Sequence, residues 1–198
     1  SPFGPTADRG IFKTIDGGKT WKKTLFVDNE HGGRDIEVDW QNPSVLYAAI
    51  YKGFRKGWDI VSGGPADKGG IYKSTDGGET WKKRQAEDGL PKGELGRIGV
   101  AICRSQPNVV YALVEAEKSA LLRSDDGGKS FKSVNTDTNI VPRPFYFAEL
   151  RVDPLWPNRI YSLEYGVSVS DDGGKSFRRL PGADALHGDY HAMWIDPA

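Results

Sequence analysis

The sequence predicts an all-β fold, a β-propeller of four-stranded antiparallel blades. Three observations predict it. A turn motif, S/T-x-D-G-G-x-T/S-W/F, occurs four times without gaps. Before each of the last three copies, a Pro turn leads into a strand that reaches a Tyr. The steps from Asp16 to Asp76, to Asp126 and to Asp172 are 60, 50 and 46 residues, close to a repeat of about 40 to 50 residues per four-stranded blade.

The boxes occupy 14–21, 74–81, 124–131 and 170–177. Each follows a short alternating run, as in Gly10-Ile-Phe-Lys and Gly70-Ile-Tyr-Lys. The chemistry is that of a hairpin. Asp16, Asp76, Asp126 and Asp172 can accept hydrogen bonds from nearby backbone N–H groups and hold the turn. The Gly pairs supply positive φ. The closing Trp21, Trp81, Phe131 and Phe177 begin the next strand and can bury a ring against the sheet.

The Pro turns are Asn42-Pro43, Gln106-Pro107 and Trp156-Pro157, leading to Tyr47, Tyr111 and Tyr161. Ahead of them lie alternating strands ending at Asp39, Cys103 and Asp153. One unit therefore reads strand, Pro turn, strand, loop, strand, box, strand. Complete blades are expected at 34–84, 97–134 and 147–180. A partial blade at 9–24 precedes them, and 190–198 begins another. With broken blades at both ends, the chain is expected to be an excerpt of a larger propeller or one part of an assembly. Its cut edges would be covered by remaining blades or by a partner chain.

Acidic and basic residues balance at 27 each, which argues against nucleic acid or an anionic membrane as a charge-driven partner. No apolar run reaches the length of a membrane span. The single Cys103 forms no intrachain disulfide and reads as a packed thiol. There is no Walker loop, no dinucleotide fingerprint and no Ser–His–Asp or Cys–His signature, so no cofactor is expected.

The boxes and the Asn/Gln-Pro…Tyr strands resemble the bacterial neuraminidase (Asp-box) repeat superfamily. Leu95-Gly-Arg97-Ile-Gly, Arg143-Pro-Phe-Tyr146 and the stretch from His187 to Pro197 look most like bacterial sortilin-like propeller proteins. The resemblance implies a secreted, periplasmic or cell-surface location and a structural role for the Asp-boxes, away from the active face. It does not imply one function. The arginine cluster and Tyr–Glu pair of sialidases, and the paired Asp residues of xyloglucan-cleaving relatives, have no counterparts here that can be matched residue by residue.

Function is therefore sought on the loops at 25–34, 51–70, 85–97, 135–147 and 181–191. His187, Asp189 and His191 alternate on an extended segment. They fit a loop-pinning network, a ligand contact or a metal site; no metal is assigned. Arg34, Arg97, Arg143, Phe145 and Tyr146, with His31, Glu94 and His191, suit a cationic and aromatic ring at the channel mouth. The alternative is salt bridging between blades with Asp35, Glu37 and Glu149. The stretch 51–68 reads as a long insertion, in which Phe54, Arg55 and Trp58 form a contact patch or Trp58 folds back over a blade edge. The leading expectation is a non-catalytic scaffold binding a peptide, protein or glycan. The alternatives are a sialidase- or xyloglucanase-like glycoside hydrolase with acids partly outside the chain, and a structural part of an extracellular assembly.

Overall fold

The computed structural model describes residues 3–137, 144–146, 148–183 and 187–197. Every paired strand among them is antiparallel. Strands β1 (Ile11–Lys13) and β2 (Lys22–Leu25) form a two-stranded unit. The next sheet runs β3 (His31–Val38), β4 (Leu46–Lys56), β7 (Gly70–Ser74), β8 (Lys82–Lys83). The third runs β9 (Glu94–Ile102), β10 (Val110–Ala116), β11 (Ala120–Ser124), β12 (Lys132–Asn135). The fourth runs β13 (Glu149–Val152), β14 (Ile160–Leu163), β15 (Val167–Ser170), β16 (Arg178–Arg179). No helix among the described residues is long and apolar enough to cross a membrane.

The blade of β9 to β12 buries both faces, so its inner strands read as nearly continuous apolar runs. On β9 and β10, Ile98, Val100, Ile102, Val110 and Ala112 pack toward Tyr47, Ala49 and Ile71 of the preceding blade. The alternate residues Ala101, Cys103, Tyr111 and Leu113 pack toward Leu150, Val152 and Ile160 of the following one. Cys103 is fully buried, its Sγ 3.4 Å from Ser105 Oγ and 3.6 Å from the Asp153 carbonyl.

The four boxes share one hydrogen-bond pattern. In the second, the Ser74 hydroxyl donates to Asp76 Oδ1 at 2.8 Å, and the Gly78 N–H donates to Ser74 Oγ at 2.8 Å. The Thr80 N–H donates to Asp76 Oδ1 at 2.9 Å, and the Thr80 hydroxyl caps Oδ2. Both glycines of every pair have positive φ. Hydrogen bonds from Thr20 and Ser176 lower Asp16 and Asp172 to about 2, so these carboxylates are spent on their own turns. The closing ring packs backward onto the preceding unit. Phe131 is buried in the core it shares with Tyr47, and Trp81 donates its indole N–H to Thr24. Trp21, in the first unit of the chain, stays 60% exposed and donates to its own turn at Gly18.

The Tyr column locks blades together. The Tyr47 hydroxyl donates to the Gly127 carbonyl in the next blade's box at 2.6 Å, and Tyr111 donates to Pro157 at 2.9 Å. Tyr47→Phe is expected to lose about 1 kcal/mol in urea unfolding, because Lys73 still satisfies the Gly127 carbonyl. A loss above about 3 kcal/mol would mean the hydroxyl does more than this single bond.

Two sequence expectations change. The insertion at 51–68 is no loose loop. Strand β4 continues through Lys56 and pairs with β5 (Asp59–Ser62), and β6 (Gly64–Pro65) then crosses to pair with β9 of the next blade. Gly57, at φ 54°, takes the first position of the two-residue hairpin loop, where only Gly is relaxed. Residues 190–197, read as the first strand of a further blade, carry no strand. Their backbone instead makes isolated bonds: the Tyr190 N–H donates to the Glu164 carbonyl, and the Met193 carbonyl accepts from Arg151.

Candidate functional site at the loop end

The Pro turns and boxes lie at one end of the sheets. Gly77, Gly127 and Gly173 in the boxes donate backbone bonds to Ser44, Asn108 and Asn158 in the turns of their own blades. The long connections, and the N-terminal ends of β3, β9 and β13, therefore gather at the other end.

There the structure brings Arg34 and Arg97 together on Glu149. Arg34 Nη2 donates to Glu149 Oε1 at 2.5 Å, and Arg97 Nη2 donates to the same oxygen at 2.6 Å. The second nitrogen of Arg97, Nη1, donates to the Phe145 carbonyl at 2.5 Å. Arg97 and Glu149 are buried, whereas Arg34 keeps about a third of its side chain in solvent. One carboxylate thus ties three consecutive inner strands. Phe145 and Tyr146 meet edge to face at 5.1 Å.

Sequence reasoning missed Glu115. Its Oε2 accepts from the Ser62 hydroxyl at 2.6 Å and from the Arg97 N–H at 2.7 Å, pinning the inserted hairpin to β9. Burial raises this carboxyl. No local pattern marks Glu115; only the tertiary approach of β5 reveals it. His31 is buried, donating from Nδ1 to Asp28 Oδ1 at 2.8 Å. Burial pushes Asp28 up, but hydrogen bonds from His31 and Lys68 outweigh it and hold the carboxyl well below the usual range.

Trp58 stands fully exposed at the hairpin tip beside Arg55 and Lys56, and it does not fold back over a blade edge. His187, Asp189 and His191 are exposed. His187 Nδ1 donates to the adjacent Gly188 carbonyl at 2.9 Å, and Asp189 has a positive φ of 73°. Among the described residues no group of three or more His, Cys, Asp or Glu side chains is arranged to hold a metal. Arg143 lies outside the described residues.

Further down the inner strands, the Asp35 carboxylate accepts from the Val100 N–H at 2.9 Å across the blade seam. Burial and then Asp35 push the Glu37 carboxyl up to about 7, against the pull of Arg151 and Arg104. The folded state therefore holds a proton that the unfolded chain releases near 4.5. Stability from this group is full below that value and is lost as pH rises through about 7. Between pH 5 and 8, urea unfolding should show the native chain losing about 1 to 3 kcal/mol relative to Glu37→Gln. Parallel pH profiles for the two proteins would contradict it.

Residues 72–83, across the second box, match the family model for the BNR/Asp-box repeat. The sheet arrangement is similar to that of the GH74 enzyme of Niastella koreensis, with a TM-score of 0.62 and 20% identity over 87% of this chain and 26% of that one. It is similar also to the GH74 xyloglucanase of Xanthomonas campestris, with a TM-score of 0.62 and 21% identity over 86% of this chain and 25% of that one. The fold is that of an Asp-box β-propeller. A third propeller, YCF48 bound to D1 peptide, is similar with a TM-score of 0.55 and 16% identity over 91% of this chain and 46% of that one. The chain thus spans between a quarter and a half of these propellers. No curated protein matches it.

Proposed function

We propose that this propeller segment is a non-catalytic recognition scaffold, secreted, periplasmic or displayed at the cell surface, binding a peptide, protein or glycan at its loop end. The observation that carries the reading is the state of Glu149. Its Oε1 is held by two guanidiniums, so the carboxylate serves as a structural acceptor and not as an acid or nucleophile. What faces solvent there is the exposed part of Arg34 and the tip residue Trp58. An exposed indole on a short, well-defined turn adds contact area at little entropic cost.

Glycoside hydrolysis is the second reading. The fold does not choose between them, since GH74 enzymes and a peptide-bound propeller share it. The exposed Trp58 at the hairpin tip and the pairing of Glu149 with two arginines favour binding. The test is an immobilised panel of glycans and peptides probed with the chain and with Trp58→Ala and Arg34→Ala. At least one panel member is expected to bind saturably and to weaken about tenfold or more in each variant, with the thermal midpoint unchanged in Trp58→Ala and lowered in Arg34→Ala, which removes one of the two cations on Glu149. Binding that survives both substitutions would sink the loop-end site.

A further inference from the structure

At the opposite end, where the Pro turns and boxes lie, the inner strands open into a cleft of about 190 Å³. It is lined by Glu37, Trp40, Arg104, Arg151, Met193 and Trp194. The Arg104 guanidinium lies over the Trp40 ring, its central carbon 4.1 Å from the ring centroid. Arg151 is anchored by bonds to the Met193 and Leu150 carbonyls at 3.1 and 2.6 Å, which leave donors unused. The carboxyl of Glu37 feels both arginines through space yet is bonded to neither. Trp194 is 74% exposed. Two guanidiniums and one carboxyl thus share a cleft without satisfying one another, beside an open indole. Pockets for drug-sized ligands run to about 300–1,000 Å³, so this one suits a smaller molecule.

We infer that this cleft binds a zwitterionic α-amino acid with an apolar side chain. Arg104 and Arg151 take its carboxylate, Glu37 takes its ammonium, and the side chain lies against Trp194. This site is independent of the loop-end reading, because it uses different residues at the other end of the sheets. Binding is linked to protons. The groups facing Glu37 are Asp35 from its own strand, Arg104 from the turn after β9 and Arg151 from β13. Burial and Asp35 keep Glu37 protonated until near neutrality, so an ammonium ligand must displace that proton.

The test is calorimetric titration of the intact chain with L-phenylalanine, L-leucine, 3-phenylpropionate and phenethylamine at pH 6 and pH 8. Saturable binding of an amino acid is expected, tighter at pH 8, with 3-phenylpropionate about tenfold weaker than L-phenylalanine. Glu37→Gln should abolish that preference, and Trp194→Ala should weaken both ligands; circular dichroism checks that each variant is folded. Absence of saturable binding by both amino acids at millimolar concentration overturns the inference. So does equal affinity for L-phenylalanine and 3-phenylpropionate in the native chain, or a preference that persists in Glu37→Gln.

Discussion

Replacing Arg97 with Met is expected to cost about 3 to 5 kcal/mol in urea unfolding. Arg97 and Glu149 are both buried, and the substitution removes one of the two cations that hold the carboxylate. It also orphans the Phe145 carbonyl that Arg97 Nη1 reaches. Arg34 remains, but it is partly in solvent and reaches Glu149 from the other blade. The loss should therefore lie at the lower end of that range. Pairing Arg97→Met with Glu149→Leu is expected to recover much of the stability, because removing both charges removes the uncompensated one. A double variant no better than Arg97→Met alone would show that the arginine acts by packing and not by neutralising Glu149.

Gly99→Ala carries the second large effect. A Cβ there would sit 1.8 Å from the Ala148 carbonyl oxygen, on the chain entering β13. The obstacle is backbone, so neither blade can yield by a rotamer change, and β9 and β13 must move apart. A loss of about 3 kcal/mol is expected, with a lower thermal midpoint. Gly96→Ala, three residues earlier, meets the Glu115 side chain instead. That side chain can swing aside, though it then releases Ser62 and the Arg97 N–H. Gly96→Ala should therefore cost less than Gly99→Ala. The reverse order in thermal melts would contradict the close approach of the two strands.

The all-β propeller architecture was legible because the repeat is written in turn chemistry. The Asp, the Gly pair and the hydroxyls of each box encode a closed local network that needs no distant partner. The inserted hairpin was not legible. Gly53 and Gly57 interrupt the alternation that marks a strand, and the Gly64–Leu95 pairing joins two successive blades through a tertiary contact that no local pattern encodes. Nor did local sequence foretell that 190–197 would lack a ladder, since its alternation matches the inner strands of the other blades. The site was legible only in part. Arg34, Arg97 and Tyr146 stood out as residue types near the channel mouth. Their sharing of Glu149 and the latch at Glu115 depend on blade packing. The cleft around Glu37 and Trp194 draws on four separated segments, and no window of sequence contains it.

Ligands recognised at the loop end are expected to leave it uncleaved. The most direct measurement is hydrogen–deuterium exchange on the complex with whichever panel glycan or peptide binds, followed by the mass of the recovered ligand. Protection is expected across the inserted hairpin at 52–64 and around Arg34 and Arg97, with the ligand recovered intact. Protection confined to the Asp-box turns, or a ligand recovered as smaller products, would contradict it.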